Sequence, residues 1–165
     1  MISKGYELIH LTSVQTLKLD KVYTSSVNSP MITVKAWHSV EDEWFDYYCI
    51  LSHFAKEHKA TYKKMLSNLI VPNFCMSLFL NNEVIACGLG VLEHGFIGLF
   101  DIVVHEEYRN NGYGEQLLMS MLESGQKQGA ENAYLQVMLD NKPALRLYEK
   151  IGFKHIYDYW YRVLL

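Results

Sequence analysis

Phe96 to Val104 is the most apolar run of the chain, and a segment of helical period follows it closely. A run so rich in Val, Ile and aromatic residues reads as a buried strand. Leu117, Leu118, Met121 and Leu122 then recur at three- and four-residue steps over 113–128, the stripe of an amphipathic helix. Between the two lies Val104-His105-Glu106-Glu107-Tyr108-Arg109-Asn110-Asn111-Gly112-Tyr113-Gly114. A strand passing so quickly into a helix points to a layered α/β arrangement, because each element must bury one face against another layer.

The other periodicities agree. Tyr6–Leu11 and Met31–Trp37 are strand-like. Ser39 offers an N-cap to a helix over 40–55, with Trp44, Tyr47, Tyr48, Leu51 and Phe54 on its apolar side. A second helix is expected over 59–70, stopped by Pro72. Met76–Leu80 and Glu83–Leu92 form a hairpin through Asn81-Asn82, and Glu93-His94-Gly95 turns into the apolar strand. Tyr134–Leu139 is a strand, Asn141 to Pro143 opens a helix ended by Gly152, and Phe153–Leu165 closes as an aromatic-rich strand. After the N-terminal segment and the turn-forming Ser25–Pro30 cluster, the predicted order is β-α-α-β-β-β-α-β-α-β in one domain.

Composition narrows the function classes. The 165 residues suffice for one sizeable core. Fifteen basic against eighteen acidic residues leave a net charge of −3 and no field to attract a polyanion, so nucleic acid is not an expected partner. The apolar runs are too short for a membrane span, and the N-terminus lacks a signal-peptide core. Three widely spaced cysteines, Cys49, Cys75 and Cys87, read as reduced thiols, so a cytoplasmic location is expected. No HExxH or CxxC accompanies the seven histidines, so no metal is expected. A G-x-S-x-G elbow is also missing.

The loop after the apolar strand carries the chemistry. Gly112 and Gly114 permit unusual dihedrals and clear space for a ligand, and the helix start adds free N–H groups and positive partial charge. Such a loop suits a phosphate or pyrophosphate, although an ordinary glycine-bearing connection would look the same. A dinucleotide fingerprint is excluded because its third glycine would be Leu117, and a P-loop because no Gly-Lys-Ser/Thr exists.

Arg109-x-x-Gly112-x-Gly114 after such a strand resembles the acyl-CoA-binding motif of the GNAT (Gcn5-related N-acetyltransferase) superfamily. Asn141-Lys142-Pro143-Ala144-Leu145-Arg146-Leu147-Tyr148-Glu149-Lys150-Ile151-Gly152-Phe153 is similar to the family's downstream signature, and the resemblance covers about residues 31–163. It implies a mixed central sheet with a splayed strand pair flanked by helices, and acetyl-CoA as cosubstrate. It further implies that the amides of Arg109, Asn110, Asn111, Gly112, Tyr113 and Gly114 hold the pyrophosphate. Ile102, Val103 and Val104 would pair with the pantetheine arm, Asn141 would contact the cofactor and Tyr148 would face the thioester sulfur. Lys142 and Arg146 are candidates for the 3′-phosphate, with a solvated face as the equal alternative.

Attack of an amine on a thioester needs a proton donor near the sulfur and a proton acceptor near the amine. Tyr148 is the expected donor, although its place beside Ala144 and Ile151 also fits plain packing. Asp101 within the apolar strand and Glu93 in the preceding turn are the candidate bases, with ordered water as the alternative; Asp101 also fits a structural carboxylate bonded to a neighbouring loop, and Glu93 a solvated turn residue. Strand alternation sets Asp101 with Leu99 and Val103, opposite Phe100 and Ile102. Tyr47, Tyr48 and Tyr62 are expected to border the acceptor site.

Glu106 replaces the family's usual Pro, and one closing strand stands where many members have two. The N-terminal segment, residues 1–30, or a second subunit in a homodimer, would fill the gap; the chain is also similar to the C-terminal half of tandem GNAT proteins. The expected function is an acetyl-CoA-dependent N-acetyltransferase acting on a small-molecule or peptide primary amine in a ternary complex. The alternative is a non-catalytic acyl-CoA-binding sensor.

Overall fold

The computed structural model describes residues 6–23 and 31–164, so the Ser25–Pro30 turn cluster lies outside the described residues. Its elements are β1 (Tyr6–Lys18), β2 (Ile32–Trp37), α1 (Asp42–Leu51), α2 (Lys59–Ser67), β3 (Asn73–Leu80), β4 (Glu83–Glu93), β5 (Phe96–Val104), α3 (Tyr113–Lys127), β6 (Asn132–Met138), α4 (Lys142–Ile151) and β7 (Lys154–Leu164). They form two compact units: Lys18–Ala133, and Met1–Leu17 with Tyr134–Leu165. The pair expected to splay, β5 and β6, is divided between them.

In the first unit, β2, β3, β4 and β5 form an antiparallel meander. Asn81 and Asn82 both take positive φ, 51° and 67°. Paired left-handed residues suit the two-residue hairpin turn that the Asn-Asn dipeptide predicts. On one face, Trp44, Phe45, Cys49 and Leu51 of α1 and Leu66 of α2 bury against Cys75, Cys87 and Leu89. On the other face α3 buries Leu117, Leu118, Met121 and Leu122 completely. Its close approach is measured at the glycines: a Cβ on Gly88 would sit 2.7 Å from Met121 Sδ, and one on Gly125 would sit 2.6 Å from Ile97 Cδ1.

The first helix is shorter than its ring periodicity predicts. It begins at Asp42 after Glu41, without a side-chain cap, so Ser39 does not serve as the N-cap. His53, at φ 51°, ends it, and the Phe54 N–H turns back to the Cys49 carbonyl. Phe54 lies beyond the helix, where its ring packs on Tyr48 and Tyr62.

In the second unit β1 lies between β6 and β7, antiparallel to β7 from Tyr6↔Leu164 to Thr16↔Lys154. An N-terminal strand therefore stands beside the closing strand. The Asn141 carboxamide oxygen caps α4 by accepting from the Ala144 N–H at 3.3 Å. Gly152 ends this helix at φ 113°, where its N–H returns to the Tyr148 carbonyl at 3.1 Å. An L-residue there costs about 1–2 kcal/mol. The nearest atom, Leu17 Cδ1 at 3.5 Å from an added Cβ, adds no clash. Gly152→Ala is therefore expected to lower the unfolding free energy by about that 1–2 kcal/mol in denaturant titrations; an unchanged midpoint would contradict the cap assignment.

Candidate functional site

Where β5 ends, the chain makes a short 3₁₀ turn, Glu106–Tyr108, with the His105 ring nitrogen accepting from the Glu107 N–H at 3.3 Å. The Tyr108 hydroxyl donates to Glu83 at 3.0 Å and ties the turn to β4. The Arg109 Nε donates to the Val104 carbonyl at 3.2 Å, so the guanidinium is held back against the strand end. The Asn111 carboxamide donates to the carbonyls of Tyr108 and Arg109, which draws the loop into a tight coil.

Asn110 and Gly112 are both left-handed, at φ 63° and 82°. Gly112 occupies the cap position of α3 and supplies no side chain to it, so the first-turn N–H groups lack a side-chain cap. A helix leaves its first N–H groups without intrahelical acceptors. Here they lie beside two left-handed residues, Asn110 and Gly112. Nothing lies within 4 Å of a Cβ built on Gly112.

Asp101 is the second feature. It lies in β5 at φ 53°, and the register jumps there: Leu89 pairs with Phe100, but Cys87 pairs with Val103. Asp101 and Ile102 thus stand together opposite Gly88, a β-bulge. The bulge overturns the simple alternation expected for this strand. Phe100 and Val103 pack against the same core cluster under α1 and α2, whereas Ile102 faces Met121 of α3. Asp101 joins the side of Phe100, not that of Leu99.

On that side the Tyr62 hydroxyl donates to both Asp101 oxygens, at 2.9 and 2.8 Å, with Tyr48 as a second neighbour. Burial pushes the Asp101 carboxyl above its usual range, and the tyrosine hydrogen bonds offset this only in part. Burial and the Asp101 charge push both tyrosines far up. Phe54 stacks on Tyr62 at 5.0 Å and Phe45 lies 6.3 Å from it, so an aromatic wall surrounds the carboxylate. Tyr47 is not part of it: its hydroxyl donates to Glu43 and its ring meets Trp37 and Phe79.

The raised carboxyl has a sign that can be measured. Between the ordinary Asp value near ~3.9 and the raised one, the folded protein binds more protons than the unfolded chain. Stability therefore falls as pH rises through that window. Asp101→Asn is expected to remove this loss and to raise the melting temperature at pH 7 above wild type. A lower melting temperature at pH 7 would show that the charged form is net stabilising.

Glu93 ends β4, pairs with Phe96 and lies 3.5 Å from His94. It is therefore at the opposite end of β5 from Val104, roughly 25 Å along a nine-residue strand from the Arg109–Gly114 loop. In the second unit, Tyr148 is buried on α4, its ring 5.9 Å from Phe153. Burial alone pushes its hydroxyl up to about 12. Asn141 caps α4, and Arg146 is exposed on the same helix. No sequence pattern pairs Tyr62 with Asp101, although a carboxylate in an apolar strand signals that some partner is needed.

Residues 37–153 match the model of the acetyltransferase (GNAT) family. The chain belongs to that family. An uncharacterized N-acetyltransferase, YobR, of Bacillus subtilis is 28% identical over 158 residues, which are 96% of this chain and 64% of that protein. The [Ribosomal protein bS18]-alanine N-acetyltransferase of Escherichia coli K12 is 36% identical over 55 residues, 33% of this chain and 37% of that one. Among solved structures, a tandem GNAT protein from the clavulanic acid biosynthesis pathway superposes with a TM-score of 0.75 at 17% identity. That match covers 93% of this chain and 52% of the tandem protein, and it shows the shared mixed α/β GNAT fold. The chain thus spans less than two thirds of each of these proteins. Among the described residues no helix is long and apolar enough to cross a membrane, and no group of His, Cys, Asp and Glu is placed to hold a metal ion.

Proposed function

We propose that the protein is an N-acetyltransferase that moves an acetyl group from acetyl-CoA to a primary amine by direct attack in a ternary complex. The observation that carries this reading is the uncapped start of α3 behind left-handed Asn110 and Gly112. These open N–H groups fit a pyrophosphate, and Arg109 adds positive charge at the same loop. Arg109, Asn110, Asn111, Gly112, Tyr113 and Gly114 would hold it. The backbone of Ile102, Val103 and Val104 would pair with the pantetheine arm, and Asn141 and Arg146 would add polar contacts.

The cosubstrate supplies an activated acetyl thioester. In the acyl transfer a C–N bond forms as the C–S bond breaks. The proton leaving the amine goes to Asp101, whose raised carboxyl is a better base than an ordinary Asp. Tyr148 keeps its proton at neutral pH and provides it to the departing sulfur. Glu93 is the weaker candidate base because of its distance from the loop. The acceptor is a small-molecule or peptide amine; the E. coli relative's name, which specifies a protein alanine, puts peptide amines in the first panel to test.

Calorimetric titration compares coenzyme A with pantetheine, which lacks the phosphates. Coenzyme A is expected to bind at least about tenfold tighter, from one or more charge-assisted hydrogen bonds. Equal affinities would remove the phosphate role of the loop.

A further inference from the structure

β7 uses one edge to pair with β1, and among the described residues no strand pairs with its other edge. Not one residue from Lys154 to Leu164 is buried. Ile156, Tyr157, Trp160, Tyr161, Val163 and Leu164 are all exposed, with Leu164 at 61% and Tyr161 at 56%. Residues 157–164 contain no Pro and no Lys, two of the devices that blunt a free edge, and the register shift of β7 against β1 falls at Ile156, at the start of this run. An edge strand this apolar on both faces calls for a partner, and its sequence says which.

Ile156-Tyr157-Asp158-Tyr159-Trp160-Tyr161-Arg162-Val163-Leu164 is self-complementary about Trp160 when set antiparallel to itself. Ile156 then meets Leu164, Tyr157 meets Val163, Asp158 meets Arg162 and Tyr159 meets Tyr161. Every apolar residue faces an apolar one, and the single acid faces the single base. Moving the symmetry centre by one residue to Tyr161 would set Arg162 opposite Trp160 and Asp158 opposite Leu164, so the charges select one register. Successive residues alternate faces. One face therefore carries the two symmetry-related ion pairs around Trp160, and the other a ladder of Tyr157, Tyr159, Tyr161 and Val163. Cross-strand aromatic and opposite-charge pairs are the units that stabilise a sheet.

We propose that β7 pairs antiparallel with β7 of a second copy of this chain, on a two-fold axis at Trp160, and joins the two sheets edge to edge. Only a second copy offers the same nine residues in reverse order, the isologous contact of a closed dimer. The contact of His155 with Asp158, at 3.6 Å, lies within one copy and is compatible with the pairing.

Analytical ultracentrifugation of the full chain tests this. Wild type is expected to sediment at twice the 19.2 kDa chain mass. Asp158→Arg and Arg162→Asp each place like charges opposite one another and should weaken the dimer at least about tenfold. The double exchange Asp158→Arg/Arg162→Asp restores opposite charges and should restore the dimer, which a merely misfolded variant could not do. Register is read by cysteine: residues directly opposite in an antiparallel pair have Cα atoms about 4.5–5.5 Å apart, within disulfide reach. Trp160→Cys should therefore cross-link to its copy on oxidation, and Asp158→Cys should not. A monomeric wild type, dimers indifferent to the single exchanges, or a double exchange that stays monomeric would each overturn the proposal.

Discussion

Tyr148→Phe is expected to lower kcat by about 10²–10³-fold, the loss typical of a positioned proton donor. The affinity for coenzyme A should stay close to that of wild type. The substitution removes one oxygen and leaves the ring packed against Phe153 on α4. Because the site is buried and the volume is nearly conserved, the fold should persist. Burial pushes the hydroxyl up to about 12, so Tyr148 stays protonated across the neutral and mildly alkaline range. Steady-state kinetics against acetyl-CoA separate the two roles of the residue. A fall in kcat with little change in KM marks an interaction made in the transition state. Unchanged turnover would return Tyr148 to the core.

Gly112→Val is expected to abolish measurable coenzyme A binding. The reason is conformation and not crowding, since nothing lies within 4 Å of a Cβ at this position. An L-residue at φ 82° costs about 1–2 kcal/mol, and a β-branched one is a genuine outlier there. The loop would relieve that strain by rotating, which turns the N–H groups of α3 away from a common centre. Gly112→Asn is the matched control, because Asn tolerates the left-handed region. It should retain most of the affinity. Wild-type affinity in Gly112→Val would sink the assignment of this loop to phosphate. Bulky residues at Gly114, in the first turn of α3, are expected to act in the same direction.

Much of this architecture is legible in the sequence, for local reasons. β5 is bounded at Phe96 and Val104 because a continuous apolar run between two turns has few other solutions. α4 was legible because Asn141, Pro143 and Gly152 each carry their own backbone requirement. Features that depend on a neighbouring element were not. β1 runs to Lys18 where alternation suggests Leu11, because a register shift after Ile9 leaves His10 and Leu11 together opposite Trp160 and breaks the period of two. The face taken by Asp101 depends on a bulge, and nothing in the β5 run signals a left-handed non-glycine residue. The same holds within the aromatic surplus. Spacing set Tyr47, Tyr48 and Tyr62 on similar helical stripes, yet only Tyr48 and Tyr62 reach Asp101. Tyr47 is drawn to Glu43, one turn away on its own helix.

Acetyl transfer from acetyl-CoA to an amine releases one free thiol per turnover, and that thiol can be measured. Purified protein is incubated with acetyl-CoA and a panel of small amines and peptides, and thiol release is followed alongside mass spectrometry of the amines. Thiol release that depends on an amine is expected, with one N-acetylated product for each thiol. Tight binding of coenzyme A, with no amine-dependent thiol release across the whole panel, would contradict it and favour a non-catalytic acyl-CoA sensor.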